Sequence, residues 1–410
     1  MIRESPRAAW LPYTLFVLML GGLLWLLLAH IGTAVHDTRS DDFYYLNYMT
    51  AVSRHGPSVW PSLFEQWNSV EQHWIYPPPS RVGFIAVSAL WAKLFGASFM
   101  SLSWLSMCSH VVLVLVNYTF ARRHFGEPRA LFVAALTAFS ALLLGLSRLA
   151  LTDSFIALCM SLTVWLFLEL ALRPGSLPRG IAFAASFAFT VLVKELAVLL
   201  TVPFALSLLH ERFLRGEPVP FTRFALTFLA AGLLTVPAFV LAAGGIDPLA
   251  ENVRIVLASP GSNPYAVQYG SGPWQRYLID YLAFSPGPTL LAAGFFAVLL
   301  LRLRRGEHDR ALVLLAILSV SMLAMLSFFT KNIRYMVVLQ LPIAVFASHL
   351  LVELAGKTRR PALLAGAAVA LLCWLEVRTY EKVWIERRMY DPVTFEVLQR
   401  LEMLPPLRSR

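Results

Sequence analysis

The stretch Ser40-Asp41-Asp42-Phe43-Tyr44-Tyr45 places two adjacent carboxylates ahead of an aromatic pair. A carboxylate with reach and a tuned pKa acts as a general base, taking the proton of an attacking hydroxyl. The same residues also fit a plain helix start, with Ser40 as N-cap and two acids where the helix dipole favours negative charge. A second acid, Asp153, lies in Ser147-Arg148-Leu149-Ala150-Leu151-Thr152-Asp153-Ser154 and admits the same two readings. Cations are spaced between apolar runs: Arg81, Arg148, Lys194 beside Glu195, Arg254, Arg276, Lys331 and Arg334. Arginine and lysine bind phosphate well, and phosphate at a lipid surface would account for cations at these places.

What must position these residues is a membrane. The chain has 410 residues, 58% hydrophobic and only 14% charged, with 34 Lys plus Arg against 24 Asp plus Glu. A soluble chain carries roughly 25% charged residues, so an ordinary cytosolic enzyme is excluded. A net charge of +10 invites a nucleic-acid reading, but the basic residues sit in short clusters between long apolar runs rather than on one soluble face. Cys108, Cys159 and Cys373 each lie within an apolar run, which argues against a disulfide framework and a cysteine-ligated zinc site. The stretch from Leu11 to Ala29 follows Arg3 and Arg7 and is expected to be an uncleaved first membrane helix.

A helix needs about 20 apolar residues to cross the hydrocarbon. Stretches that approach this run 11–31, 101–121, 130–147, 154–172, 180–193, 196–210, 224–243, 285–301, 311–329, 335–352 and 361–375, giving about eleven expected spans in an all-α polytopic fold. Lys194 and Glu195 separate two short stretches and mark either a turn at a membrane face or an interruption in one long helix. The apolar run 82–95 has fourteen residues, and whether it spans decides the side of everything after it. If it does not, the cytoplasmic loops hold seventeen basic residues against eight acids, a charge of +9, and the other side carries +1. If it does, most clustered cations move outside, against the positive-inside rule. It is therefore read as a re-entrant or interfacial helix on the outer face.

This gives a transmembrane domain over 1–375, with long outer loops at 32–100 and 244–284, and a short outer tail at 376–410. No charged residue then lies deep in a span, and Glu169 and Glu353 fall near cytoplasmic ends where snorkelling is cheap. Trp60, Trp67, Trp74, Trp91, Trp104, Tyr265, Tyr269, Trp274, Tyr277 and Tyr281 suit a belt at the lipid headgroups.

The stretch from His124 to Leu168, with Phe-Gly-Glu-Pro-Arg-Ala-Leu-Phe and Ser-Arg-Leu-Ala-Leu-Thr-Asp-Ser-Phe, resembles the C-type membrane glycosyltransferases. It is similar in particular to glycosyltransferase family 39 and the related bacterial aminoarabinose transferases. Further matches follow in chain order: Asp41-Asp42, Tyr76-Pro77-Pro78, Leu192-Val193-Lys194-Glu195, Gly272-Pro273-Trp274 with Tyr277, and Asn332-Ile333-Arg334-Tyr335. The resemblance covers most of residues 11–352. It implies a GT-C fold, an interfacial helix in the first outer loop, an extracytoplasmic active site and a polyprenyl-phosphate-linked sugar as donor, transferred with inversion. By position it implies Asp41 as the catalytic acidic residue and Asp153 as the second acidic position. Asp42 stands where the family often has Glu, so the member of the pair that points inward is open. Substrate contact is expected from Lys194, Glu195, Arg334, Tyr335, Arg81, Tyr76 and Arg148.

The mechanism expected is displacement at the anomeric carbon: Asp41 takes the proton of an acceptor hydroxyl while Lys194 and Arg334, then Arg81, stabilise the departing lipid phosphate. Asp153 would orient the acceptor or an intervening group. His30, His36, His55 and His73 show no ligand spacing, so no metal or other cofactor is assigned, with a divalent ion left open. His110, inside a span, is expected to pair with a neighbouring hydroxyl or amide. The rival readings are a transporter or lipid-linked-sugar flippase, which places ionisable groups near the midplane, and a non-catalytic scaffold. Compact size and the lack of cysteines in loops suit a bacterial inner membrane. The acceptor, the sugar and the prenyl length are not written in the sequence, and no nucleic-acid partner is expected.

Overall fold

The computed structural model describes residues 6–34, 40–173, 175–216, 219–258, 263, 266, 267, 270, 272–307, 309–387, 398 and 400. Among the described residues the chain is helical, with no strand. After α1 (Pro6–His30), the first long loop holds three helices: α2 (Asp41–His55), α3 (Trp60–Ser69) and α4 (Val82–Phe95). Then come α5 (Phe99–Phe125), α6 (Arg129–Ala138), α7 (Ala141–Ser147), α8 (Asp153–Leu172), α9 (Leu177–Val193) and α10 (Thr201–Leu209). Next are α11 (Phe221–Ala243) and, in the second long loop, α12 (Ile246–Ala258) and α13 (Arg276–Phe284). The chain closes with α14 (Pro286–Arg304), α15 (Arg310–Leu326), α16 (Val337–Ala355) and α17 (Pro361–Tyr380).

Among the described residues eight helical segments are long and apolar enough to cross a membrane, or nine if the bent pair α6 and α7 is one span. The chain is thus an integral membrane protein. The other two expected spans are α9 and α15, helical as expected but 17 residues long. The break between α6 and α7 bends the axis by 51°. It is stabilised locally: the Ser140 hydroxyl accepts from Leu143 N at 3.5 Å, and the buried Glu376 carboxylate accepts from Ala141 N at 2.9 Å. Glu376 therefore belongs to the bundle interior, and the last helix continues past residue 375 through a π-turn to Glu386.

Two spans form the centre. Asp153–Leu172 and Ile333–Ala355 are each 78% buried, whereas Phe221–Ala243 and Pro361–Glu386 are 17% buried and turn Leu226, Leu229, Leu233, Leu371 and Trp374 outward. A helix apolar on every side can sit in the middle of a bundle, and α8 has that composition. α8 packs on α5 and α9, and α16 on α14 and α6.

Several local expectations change. Glu169 does not snorkel; it is buried with Arg123 at 3.3 Å, His124 at 3.2 Å and Arg179 at 3.5 Å, so three basic side chains come to it. Glu353 takes a two-pronged contact from Arg302, both at 2.8 Å. Of the supposed headgroup belt, Trp60, Trp67, Tyr277 and Tyr281 are buried in protein, while Trp104 and Trp274 are exposed. Tyr265, Tyr269 and His36 lie outside the described residues, as does most of 388–410. His110 bonds the Thr137 carbonyl at 3.1 Å, and the three cysteines are free.

Candidate active site

The site is assembled from helix ends. α2 starts at Asp41, α4 starts just after Arg81, α8 starts at Asp153, and α9 stops at Val193 before Lys194. A 3-10 turn, Ile333–Met336, leads into α16 and carries Arg334 and Tyr335. The two most buried spans thus each begin with a residue of the cluster.

Arg334 joins the pieces. Its Nη1 lies 3.0 Å from Asp41 Oδ2 and 3.5 Å from Asp153 Oδ2. Asp153 Oδ1 accepts from Lys194 Nζ at 2.9 Å. The Lys194 ammonium sits 5.1 Å from the centre of the Tyr335 ring, a favourable seat for a cation on a π face. Burial pushes Lys194 below its ordinary pKa, with Asp153 pulling the other way. Arg81 donates to Tyr45 Oη and reaches Glu195 Oε1 at 3.7 Å. Asp41, Asp153 and Glu195 thus face Lys194, Arg334 and Arg81, three acids against three cations.

Exposure separates their roles. The side chains of Asp153 and Lys194 are only 1% and 6% exposed, whereas Asp41 is 29% exposed and Arg334 19%. The buried pair is an internal anchor, and Asp41 is the carboxylate that a ligand can reach. Asp42 is buried and accepts from the Ser40 hydroxyl at the start of α2. Of the two aspartates Asp41 is the more exposed, and it meets Arg334.

The aromatic residues after Asp41 follow helical spacing. Tyr44, one turn on, stacks on Tyr76 with ring centres 4.2 Å apart and meets His73 edge-on. Tyr45 takes Arg81, and Tyr48 donates to the Pro77 carbonyl at 3.0 Å. That bond fixes the buried run Pro77 to Ser80, where three prolines leave no backbone N–H to satisfy. Burial raises the pKa of Tyr45 and Tyr48, keeping both phenols neutral. Just beyond, Gly83 lies against the last turn of α9: a Cβ there would sit 3.0 Å from Leu192 C and Val193 N. Glycine is needed for this approach, which brings Arg81 toward Lys194 and Glu195.

Arg148 is not brought to the cluster. It donates to the Thr33 hydroxyl at 2.8 Å and to the Trp384 carbonyl, tying the end of α1 to the C-terminal π-turn. Its nearness to Asp153 in sequence misleads because α7 ends at Ser147 and the chain turns before α8 begins. Gly83 carries no signal in the sequence analysis, while Tyr45 and Asn332 stand in the quoted motifs without a role; the Asn332 side chain accepts from Arg334 N at 3.0 Å. The signal for Tyr45 was its spacing of four from Asp41, which puts both on one helix face. Among the described residues no group of three His, Cys, Asp or Glu side chains converges as a metal site.

The fold has counterparts among known structures. ArnT from Cupriavidus metallidurans in the apo state is 17% identical with a TM-score of 0.58, over 95% of this chain and 74% of that one. The same protein bound to undecaprenyl phosphate gives 16% and 0.55, over 92% and 73%. The Archaeoglobus fulgidus oligosaccharyltransferase in the apo form gives 11% and 0.64, over 98% of this chain and 59% of that one. This chain has the GT-C fold. Residues 82–237, which run from α4 into α11, match the family described as dolichyl-phosphate-mannose-protein mannosyltransferase. No curated protein matches the chain. In this fold the stretch matched by the family includes Asp153 and Lys194, whereas Asp41 and Arg334 reach them from outside it.

Proposed function

We propose that the protein is an integral membrane glycosyltransferase that moves a sugar from a polyprenyl-phosphate donor to an acceptor hydroxyl on the extracytoplasmic face, with inversion. The observation that carries this reading is the single guanidinium of Arg334 shared by Asp41 and Asp153 at the ends of α2 and α8. The match to a mannosyltransferase family and the likeness to an ArnT that binds undecaprenyl phosphate support the donor class.

The chemistry follows from charge. A sugar on a phosphate already has a good leaving group, which needs charge stabilisation more than a proton. A guanidinium carries five N–H donors, so Arg334 can hold a phosphate oxygen while keeping a carboxylate. Arg81, 14% exposed, is the second candidate for the phosphate. Lys194, first expected to touch phosphate, is given instead to Asp153, and its role is to keep that carboxylate ionised beside Arg334. Once phosphate draws Arg334, Asp41 is released to accept the proton of the attacking hydroxyl, a step worth about 10² to 10⁴ in rate. Charge clustered at helix ends suits this reading better than a midplane pathway. The +9 and +1 charge partition supports an outer-facing site in a bacterial inner membrane.

Mass spectrometry of envelope glycans, glycolipids and glycoproteins tests the proposal. A deletion strain should lose one glycan that returns with the wild-type gene and not with Asp41→Asn. Unchanged glycans in the deletion strain would count against it.

A further inference from the structure

The turn that carries Arg334 is held from both sides by two phenols of α13. Tyr277 Oη accepts from Asn332 N at 3.2 Å and donates to the Thr330 carbonyl at 3.4 Å. Tyr281 Oη, one turn on, donates to the Met336 carbonyl at 2.6 Å and accepts from Gln340 Nε2 at 3.4 Å. Gln340 Oε1 accepts from the Ser140 hydroxyl at 3.1 Å, in the break between α6 and α7. Both tyrosines are buried, and burial raises both phenol pKa values, so each remains a donor. The backbone on either side of Arg334 is therefore bonded to one rigid helix, and that helix is bonded into the bundle centre.

We infer that Tyr277 and Tyr281 are positioning residues that clamp the Arg334 turn and thereby set how tightly the lipid-phosphate donor is held. The inference rests on the proposed function, in which Arg334 binds phosphate. It goes further by assigning a role to α13, which touches neither Asp41 nor Asp153 through any bond described. A 3-10 turn between an extended residue and a helix has little intrinsic stability, and the phenols add partners for the Thr330 and Met336 carbonyls and the Asn332 amide. Exposed on a surface, such aromatics would anchor the protein in lipid. Buried, with hydroxyls aimed at backbone, they hold a shape instead.

The test uses the full-length protein in detergent or nanodiscs, with Tyr277→Phe, Tyr281→Phe and the double variant, which keep the rings and remove only the hydroxyls. Hydrogen exchange is followed over 330–337 and, as an internal reference, over α8. The Kd for undecaprenyl phosphate is measured alongside, with Arg334→Ala as a control. The clamp predicts faster exchange confined to 330–337 and a Kd raised several-fold in each single variant and about tenfold or more in the double. Where donor turnover is measured, KM should rise more than kcat falls. Unchanged exchange at 330–337 in both single variants would overturn the clamp whatever the protein binds. Faster exchange with an unchanged Kd would overturn its link to phosphate. If Arg334→Ala binds undecaprenyl phosphate as the wild type does, the proposed role of Arg334 fails, and the exchange data still decide whether the clamp exists.

Discussion

Asp153 and Lys194 form a buried pair, and removing one partner should cost far more than removing both. Asp153→Asn leaves an ammonium with 6% exposure without its counter-ion at 2.9 Å. Breaking a buried pair this way typically costs about 3–5 kcal/mol. A ceiling follows from chemistry: an ordinary lysine titrates near about 10.4, so shedding the proton at pH 7 costs about 4.6 kcal/mol at about 1.36 kcal/mol per pH unit. Burial already lowers the Lys194 pKa, so the true ceiling is below that figure. The loss for Asp153→Asn should therefore be about 3–4 kcal/mol. Adding Lys194→Met removes the orphaned charge and should recover most of that stability, because apolar replacements of buried pairs are often neutral. The assay is unfolding in mixed micelles of rising SDS fraction, read by intrinsic fluorescence, with sugar transfer measured on the same preparations. Both variants should be inactive, since Arg334 loses one of its two carboxylates. An Asp153→Asn protein as stable as wild type would refute the buried-pair reasoning. A double variant that recovered turnover with stability would show that the pair serves only the fold.

Gly83→Ala should lower stability by about 1–3 kcal/mol and reduce transfer, because backbone atoms of α9 at 3.0 Å cannot move aside as a flexible side chain would; thermal unfolding and turnover check both. Because burial lowers the Lys194 pKa, its positive charge is lost earlier as pH rises than that of a surface lysine, so activity should fall on the alkaline side below the ordinary lysine range. In Lys194→Arg any remaining activity should lack that limb, since arginine keeps its charge throughout, and a pH–rate profile decides. Arg148→Met should destabilise by about 1–3 kcal/mol through the lost bonds to Thr33 and Trp384, yet leave kcat/KM of the folded fraction near wild type; a loss of kcat/KM without a loss of stability would place Arg148 back at the site.

Much of the fold was legible because the bilayer imposes a length. The stretches picked out as spans are all helical, and the fourteen-residue helix α4 shows as a short apolar run, with the charge count bearing only on whether it spans. The length rule could not show that α6 and α7 are bent apart, because that break is made by Ser140 and by the distant Glu376. Asp41, Asp153, Lys194 and Arg334 could be picked because cations on the outer side run against the charge bias and because their order matched a family. What joins them could not be read, since Arg334 and Asp41 stand at opposite ends of the chain. The aromatic residues of α13 were misjudged for a physical reason: a tyrosine at a membrane boundary has the same composition signal whether its hydroxyl meets water or a buried carbonyl. Arg148 bonds Thr33 and Trp384 instead of Asp153, because closeness in sequence to Asp153 says nothing across a turn between two helices.

The central claim is that Asp41 is the base of a sugar transfer from a polyprenyl phosphate. Its most direct test is the release of free polyprenyl phosphate by purified protein supplied with a polyprenyl-phosphate-linked sugar and the acceptor found by glycan profiling. The account predicts release by the wild type and a loss of about 10² to 10⁴ in Asp41→Asn, with assembly and donor affinity retained. Turnover by Asp41→Asn within a few-fold of wild type would contradict it.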